Sequence, residues 1–210
     1  GSTVGITARA VDRDLEDSVS YALDDSAGGR FSIDAASGVV RVSGAIDREA
    51  TDALNIVVRA VSTDGSFTTR AFTIAVGGVN DNAPVITSNG GRALAWLSVD
   101  ENTTSVAAMT AGDADLPASG GGFTWSIAGG TDAAAFTLDA QSGELRLRTA
   151  PDFERPTDLD GDNTYEVLVR VSDGTLTASQ LLQVRIVDRD EPSLASDDTY
   201  ATREYTPLSV

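Results

Sequence analysis

One order of short acidic motifs occurs twice in this chain, about a domain length apart. Each half contains an Asp-x-Asp motif, then Phe-x-[Ile/Leu]-Asp-Ala-x-Ser-Gly, then Asp-x-Glu, then Asp-Gly. These motifs begin at Asp12, Phe31, Asp47 and Asp64 in the first half, and at Asp113, Phe136, Asp152 and Asp173 in the second. Motifs that keep their order and nearly their spacing indicate a tandem repeat. Because the repeated residues are mainly carboxylates, the chain is a candidate for a metal-dependent array.

Length and charge restrict the possible partners. The 210 residues allow two domains of about 100 residues each, and the repeat favours two over one. The net charge is −17, which excludes nucleic acid because phosphate binding requires clustered Lys and Arg. Anionic lipid would also repel the chain. A solvated acidic surface, as in halophiles, is the alternative explanation of the charge.

Several residue types are missing from the sequence. It has no Cys, no His and no Lys, which excludes Ser-His-Asp and Cys-His catalysis, Schiff-base chemistry and zinc held by Cys or His. The carboxylates, hydroxyls and amides that remain suit hard cations such as Ca²⁺. No apolar run approaches the 18 to 20 residues of a membrane span, so we expect no direct membrane insertion. Gly1-Ser2 is typical of an expression scar, which predicts an excised fragment whose export signal or anchor lies outside it.

The alternation of apolar and polar residues predicts an all-β chain. Asp64-Gly65 and Asp173-Gly174 predict tight hairpin turns between long strands. The predicted strands cover residues 4–11, 54–61, 67–76, 105–110, 165–171 and 176–187. Four aromatic residues are predicted to be core residues: Phe31, Trp125, Phe136 and Tyr165.

Calcium requires six to eight oxygen ligands, and no single motif here supplies them. The ordered set of motifs, however, resembles cadherin repeats, specifically the bacterial cadherin-like kind. Val79-Asn80-Asp81-Asn82-Ala83-Pro84 resembles the linker of that family, and Ile46-Asp47-Arg48-Glu49 resembles its Leu-Asp-Arg-Glu motif. Pro151-Asp152-Phe153-Glu154 and Asp160-Gly161-Asp162-Asn163 are similar to the bacterial versions.

The resemblance implies tandem seven-stranded Greek-key β-sandwiches of cadherin or immunoglobulin-like form, with Ca²⁺ between successive repeats. Residues 1–82 would be a repeat lacking its first strand, 83–192 a complete repeat, and 193–210 the start of another. The implied function is a non-enzymatic, calcium-dependent adhesion or spacer module of a rod-like extracellular protein at the cell surface. Its implied partner is a homophilic or heterophilic protein or a surface glycan.

The resemblance also assigns ligands to three junctions, with the backbone carbonyls of Val79 and Asn82 and one near Gly120 included. The central junction would use Asp47, Glu49, Val79, Asn80, Asp81, Asn82, Asp113, Asp115, Gly120 and Asp173. The C-terminal junction would use Glu101, Asp152, Glu154, Asp188, Asp190 and Glu191. The N-terminal junction would use Asp12, Asp14 and Asp64.

Two carboxylates of the family pattern are missing from the central junction. Gly78 stands where the family linker opens with Asp. The first repeat also lacks the first-strand Glu that Glu101 provides in the second. We therefore expect at least one well-formed calcium site among Asp113, Asp115 and Asp173, and weaker binding near Glu49.

The sequence also allows three other interpretations: an EF-hand, a carbohydrate-binding module and a glycosidase. The run from Asp158 to Asn163 resembles an EF-hand start, but Asn163 replaces the required Gly and Val169 the required Glu, which leaves an extra surface calcium or a solvated loop. A carbohydrate-binding module would need an exposed aromatic platform; Trp96 is the candidate, although we expect it to be packed or half exposed. A glycosidase is disfavoured because the carboxylate pairs recur at each domain boundary.

Overall fold

The computed structural model describes residues 2–14, 16–115 and 122–191. Of these, residues within 1–85, 111–123 and 172–178 form one compact unit, and residues within 86–110, 124–171 and 179–210 form the other. The tandem β-sandwich architecture expected from the sequence is confirmed. The domain boundaries at residues 82 and 192 remain predictions. No helix among the described residues is long and apolar enough to cross a membrane.

The first sandwich has two sheets of three strands. Their orders are β1-β4-β3 and β2-β5-β6, and a hairpin turn at Asp64-Gly65 joins β5 to β6. The six strands are β1 (Thr3–Thr7), β2 (Val19–Asp25), β3 (Phe31–Ile33), β4 (Val39–Val42), β5 (Ala53–Ser62) and β6 (Phe67–Ala75). Five buried residues form its core: Ala8, Phe31, Val40, Ile56 and Val58.

The second sandwich contains a strand, β8, that has no counterpart among the described residues of the first. A four-stranded sheet has the order β11-β14-β15-β8, a three-stranded sheet has the order β12-β13-β9, and β7 pairs with β10. The nine strands are β7 (Val85–Ile86), β8 (Leu94–Asp100), β9 (Ser105–Ala108), β10 (Ala111–Gly112), β11 (Thr124–Gly129), β12 (Phe136–Leu138), β13 (Glu144–Leu147), β14 (Thr164–Ser172) and β15 (Thr177–Val187). β8 runs parallel to β15, and this pairing completes the larger sheet.

The repeated Asp-x-x-Ser-Gly motif makes the same turn in both sandwiches. Oδ1 of Asp34 accepts the N–H of Ser37 at 2.8 Å, and Oδ1 of Asp139 accepts the N–H of Ser142 at 2.7 Å. The closing glycine of the second turn, Gly143, has φ +70°, and a Cβ there would lie 2.6 Å from the carbonyl oxygen of Met109. This position therefore requires glycine.

The predicted hairpins and core aromatics are confirmed, since Phe31, Trp125, Phe136 and Tyr165 are each at most 4% exposed. One strand is shorter than predicted. The pattern predicts a strand over residues 4–11, whereas β1 ends at Thr7. The proposed third repeat at 193–210 and the carbonyl near Gly120 lie outside the described residues.

Candidate metal centres

Asp115 accepts three hydrogen bonds from Asp81 and Asn82. Its Oδ2 accepts the backbone N–H groups of Asp81 at 3.0 Å and Asn82 at 2.7 Å, and its Oδ1 accepts the side-chain amide of Asn82 at 2.9 Å. The Asn82 amide, together with these backbone groups, holds the pKa of Asp115 below its ordinary value. Asp115 is therefore a charged carboxylate at neutral pH.

Two neighbouring acids each keep one oxygen without a partner. Oδ1 of Asp113 accepts the N–H of Asp115 at 2.8 Å, and Oδ1 of Asp173 accepts the N–H groups of Thr175 and Leu176, both at 2.7 Å. Oδ2 of each aspartate is buried with no hydrogen-bond partner among the described residues. Backbone N–H groups of Leu176 and Thr175, with the Asn80 side chain, lower the pKa of Asp173.

A third group of acids lies close together in the same compact unit. One carboxylate oxygen from each of Glu49, Asp81 and Asp115 lies within 4.8 Å of the others. Burial raises the pKa of Glu49, and the charges of Asp115 and Asp47 add to the effect. Asp47 turns back on this segment, because its Oδ1 accepts the N–H of Glu49 at 2.9 Å.

These residues form what we call the central cluster: Asp47, Glu49, Asn80, Asp81, Asn82, Asp113, Asp115 and Asp173. Its donor set is made of carboxylate and amide oxygens, which hard cations prefer. A buried carboxylate oxygen without a hydrogen-bond donor is costly, and a cation removes that cost. The unpartnered oxygens of Asp113 and Asp173 therefore fit a bound Ca²⁺. Val79 is 65% exposed, and its carbonyl remains a predicted ligand only.

A second cluster forms from the predicted C-terminal ligands. Oxygens of Glu101, Asp152 and Glu154 lie within 4.8 Å of one another. Glu101 is only 2% exposed and accepts the backbone N–H groups of Phe153 at 3.0 Å and Arg189 at 2.6 Å, which lower its pKa.

The remaining C-terminal acids differ in their contribution. A backbone hydrogen bond favours the charged form of Glu154, yet burial and the charges of Glu101, Asp188 and Glu191 raise its pKa overall. Glu191 accepts the side-chain amide of Asn102 at 2.8 Å. Asp190 is exposed and does not belong to the close carboxylate group. Asp188 and Glu191 therefore influence the cluster, whereas Asp190 stays a prediction from the resemblance.

The N-terminal acids group differently from the prediction. Asp12, Asp17 and Asp64 bring oxygens within 4.8 Å of one another. The carboxylate of Asp14 is not in this group; the backbone of Asp14 donates its N–H to Asp12 at 3.0 Å and accepts the N–H of Asp17 at 3.1 Å. Asp17 also accepts a hydrogen bond from the hydroxyl of Thr63. The sequence motif did not indicate Asp17, because Asp17 lies outside the repeated Asp-x-Asp pair.

The 158–163 loop is closed by its own backbone. Asp158 is 7% exposed and accepts the N–H groups of Asp162 at 2.8 Å and Asn163 at 3.3 Å. A hydrogen bond with Asp158 and the charge of Asp162 raise the pKa of Asp160. Both oxygens of Asp158 thus accept backbone N–H groups of the loop. One oxygen from each of Asp158, Asp160 and Asp162 also lies within 4.8 Å of the others, so an extra calcium and a solvated loop both remain predictions.

Trp96 is 66% exposed on β8, contrary to the expectation that it is packed or half exposed. Its register partner on β15 is Gln183. Side chains alternate along a strand, so the buried neighbours Ala95 and Val99 face the core while Trp96 faces away from it.

Comparison with known proteins agrees with this geometry. The family model described as "Cadherin domain" matches residues 1–76 and 97–187. The chain is 32% identical to human cadherin EGF LAG seven-pass G-type receptor 2 over 97% of its own length and 7% of the receptor. It is 27% identical to the protocadherin-like wing polarity protein stan of Drosophila melanogaster, over 91% of the chain and 6% of that protein.

Solved structures are similar as well. Mouse cadherin-23 EC22-24 superposes with a TM-score of 0.65 at 24% identity, covering 81% of this chain and 53% of that one, which shows the fold alone. The protocadherin gammaB4 extracellular domain is 28% identical with a TM-score of 0.62, covering 81% of this chain and 28% of that one. This chain spans 3 to 7% of the length of the first curated relatives it matches.

Proposed function

Because this chain belongs to the cadherin family, we propose that it is an extracellular, calcium-binding segment of a cell-surface adhesion protein, stiffened where successive repeats meet. The proposal covers the segment as a rod-like adhesion or spacer module and assigns it no enzymatic role. Its partner would be another protein, homophilic or heterophilic. The bacterial kind of repeat also remains a proposal, since it rests on the Pro151–Glu154 and Asp160–Asn163 motifs alone.

The observation that carries the proposal is the pair of buried, unpartnered oxygens on Asp113 and Asp173. A chain with a net charge of −17 gains nothing from gathering acids unless they are neutralised. Each of these two aspartates uses one oxygen to fix its own loop and leaves the other free. Their backbone contacts thus orient the free oxygens before any ligand arrives.

The central cluster draws on four parts of the sequence: residues 47–49, the 80–82 linker, the loop at 113–115 and the turn at 173. The resemblance assigns these parts to two successive repeats and the linker between them. A bound Ca²⁺ would supply positive charge shared by all of them. Without it, burial disfavours the charged form of Glu49, and the charges of Asp115 and Asp47 add to this and raise the pKa of Glu49. Neutralising these charges would hold the linker in one arrangement.

A carbohydrate-binding role is the second candidate, and it depends on the exposure of Trp96. An exposed indole can stack on a sugar ring, but one side chain is a small platform. Binding on a glycan array that is lost in Trp96→Ala would favour this role. Equal glycan-array signals for the parent chain and Trp96→Ala would exclude a carbohydrate-binding role of Trp96.

Small-angle X-ray scattering of the whole chain tests the calcium proposal. We expect millimolar calcium to change the maximum dimension and narrow the distance distribution, with chelator reversing both. Asp173→Asn should lose this response. The matched control is Asp139→Asn, which changes a turn aspartate outside the acidic clusters and should keep it. An identical scattering profile with calcium and with chelator would contradict the proposal.

A further inference from the structure

The larger sheet of the second sandwich carries exposed apolar side chains on its outer face. Trp96 is 66% exposed on β8, and Leu94, on the same face of that strand, is 44% exposed. β8 is the last strand of this sheet among the described residues. Leu181 is the register partner of Leu94 and is only partly buried, so the apolar surface continues from β8 onto β15. The calcium proposal does not use this surface.

Polar side chains of β15 flank the indole of Trp96. Gln183 is the register partner of Trp96, and Arg185 is the partner of Ser98, which places Arg185 diagonally beside the indole on the same face. Nε2 of Gln183 donates to Oε2 of Glu166 at 2.8 Å, and this bond fixes the plane of the amide. Arg185 is exposed and takes part in none of the ion pairs of the described residues. An oriented amide and an unpaired guanidinium therefore lie within reach of a ligand that stacks on the ring.

A groove of about 300 Å³ continues this surface. Its lining includes Ser98, Arg185, Phe153 and Asp188. Since Ser98 follows Trp96 by two residues on the same face of β8, the groove lies next to the indole toward the end of the strand. A volume of about 300 Å³ is at the lower end of the sizes of ligand pockets. The groove can therefore hold a small ring beside one that covers the indole.

Charge restricts the ligand of this face. The net charge of −17 repels polyanions from the chain as a whole. Near the groove the cation of Arg185 is offset by the carboxylates of Glu166 and Asp188, so no local excess of positive charge counters that repulsion. The face offers instead an aromatic ring with planar polar groups beside it. An aromatic ring stacks on the apolar CH face of a pyranose, and an amide or a guanidinium can bond two adjacent sugar hydroxyls.

We propose that this face binds a neutral β-linked polysaccharide that lies along β8, with one pyranose ring on Trp96 and the hydroxyls of the next ring held by Gln183 and Arg185. In β-linked glucose chains the hydroxyls are equatorial, so the rings have apolar faces and the chain forms a flat ribbon that matches the strand. An α-linked chain coils and presents fewer rings to the surface. The binding rests on the carbohydrate-binding role that is the second candidate function. It adds the ligand class and the roles of Gln183 and Arg185, and it requires no calcium.

Isothermal titration of the whole chain with cellohexaose, a soluble β-linked chain of six glucose units, tests the proposal. Maltohexaose is the matched control ligand because it contains the same six units in α linkage. We expect saturable binding of cellohexaose, equal in calcium and in chelator, and at least about tenfold weaker binding of maltohexaose. The fluorescence emission of Trp96 should shift on binding, whereas Trp125 is buried and should not respond.

Variants of this face should change the affinity for cellohexaose. Trp96→Ala should weaken binding by about tenfold, since the stacked ring is lost. Arg185→Gln should weaken it by about fivefold through the loss of hydrogen-bond donors. Phe67→Ala is the matched control variant, because Phe67 is 62% exposed but lies on β6 of the first sandwich. Its affinity should equal that of the parent chain.

Binding of neither hexasaccharide, or equal affinity for both, would overturn the proposal. Tighter binding of polygalacturonate than of cellohexaose would show recognition of charge and overturn the neutral ligand. Binding that needs Trp96 but is unchanged in Arg185→Gln keeps the carbohydrate role and overturns the part assigned to Arg185. Dimerisation of the parent chain in sedimentation that Trp96→Ala abolishes would assign the face to a second copy instead. A calcium response in scattering without cellohexaose binding leaves the calcium proposal standing and removes the polysaccharide alone.

Discussion

Replacement of Asp173 by Asn separates two roles of this side chain: its hydrogen bonds within the hairpin turn and its free oxygen as a candidate cation ligand. Oδ1 of Asp173 accepts two backbone N–H groups of its hairpin turn, from Thr175 and Leu176. An asparagine retains that oxygen and puts an amide NH₂ in place of Oδ2, the buried atom without a partner. Asp173→Asn should therefore keep the turn and lose one of the two preoriented cation ligands of the cluster.

The size of the effect follows from binding linkage. Calcium sites in extracellular modules have dissociation constants of roughly 0.1 to 1 mM, so about 10 mM calcium stabilises the folded state by about 1.4 to 2.7 kcal/mol per site. A tenfold loss of affinity would leave about 0.4 to 1.4 kcal/mol. Calcium stabilisation should therefore fall by about 1 kcal/mol at this concentration.

Urea unfolding followed by tryptophan fluorescence measures this loss, because Trp125 is 4% exposed in the folded state. The useful quantity is the change in midpoint between calcium and chelator, compared between the parent chain and the variant. In chelator, Asp173→Asn should be somewhat less stable than the parent, because the lowered pKa of Asp173 shows that the folded protein favours its charged form; only the increment that calcium adds is therefore compared. Asp139→Asn should lower the midpoint equally in both buffers. If Asp173→Asn keeps the full calcium increment, the assignment of its free oxygen is wrong.

Three more outcomes follow from particular contacts. The backbone N–H and the hydroxyl of Ser142 lower the pKa of Asp139, so its stabilising contribution is present above its ordinary pKa and is lost as the pH falls through the lowered one. In thermal melts, Asp139→Asn should be less stable than the parent at pH 7, and the difference in melting temperature should shrink as the pH falls below the ordinary pKa of an aspartate; a difference that does not change with pH would contradict this. Leu182→Ala, at a fully buried site, should lower the free energy of unfolding by about 3 kcal/mol. Phe72→Ala should cost less than this although it removes a larger side chain, because Phe72 is only partly buried on β6, the last strand of its sheet among the described residues. Equal costs of the two substitutions in urea titrations would contradict this. Gly143→Ala should cost more than about 1 kcal/mol in the same titrations, since φ is +70° and the added Cβ meets a carbonyl, and a neutral result would show that the turn can shift.

Much of the fold could be predicted because its signals are local. Strand alternation and the Asp-Gly turns depend on residues a few positions apart, and the structure places β5, β6, β14 and β15 within one or two residues of the prediction. The carboxylate group of Glu49, Asp81 and Asp115 also followed from the motifs, although its calcium has yet to be tested. The repeated order of the motifs was the signal in both cases.

The remaining features depend on long-range partners that no local pattern encodes. The pattern predicts a strand over residues 4–11, but among the described residues β1 pairs only with β4 and only as far as Thr7, and Val11 is 95% exposed. Trp96 was expected to be packed or half exposed, yet the alternation of β8 turns it outward and leaves it 66% exposed. Asp17 lies beside Asp12 and Asp64 because its backbone N–H bonds the carbonyl of Asp14 in a turn. The position of Asp17 in the sequence did not indicate this contact.

The two Asp-x-Asp motifs show that the surrounding segments, and not the motif alone, determine which carboxylates lie close together. Both form the same local turn, in which the first aspartate accepts the N–H of the third residue, at 3.0 Å for Asp12 and 2.8 Å for Asp113. Their second aspartates differ, because Asp115 is held by the N–H groups of Asp81 and Asn82, whereas Asp17 takes the place beside Asp12 that Asp14 was predicted to fill. The donors of the linker at residues 81 and 82 therefore distinguish the second Asp-x-Asp motif from the first, and only the second belongs to the central cluster. Two of the three donors to Asp115 are backbone N–H groups and the third is the side-chain amide of Asn82, so a side-chain change at Asn82 should weaken the arrangement in part, and a change that moves the linker should weaken it further.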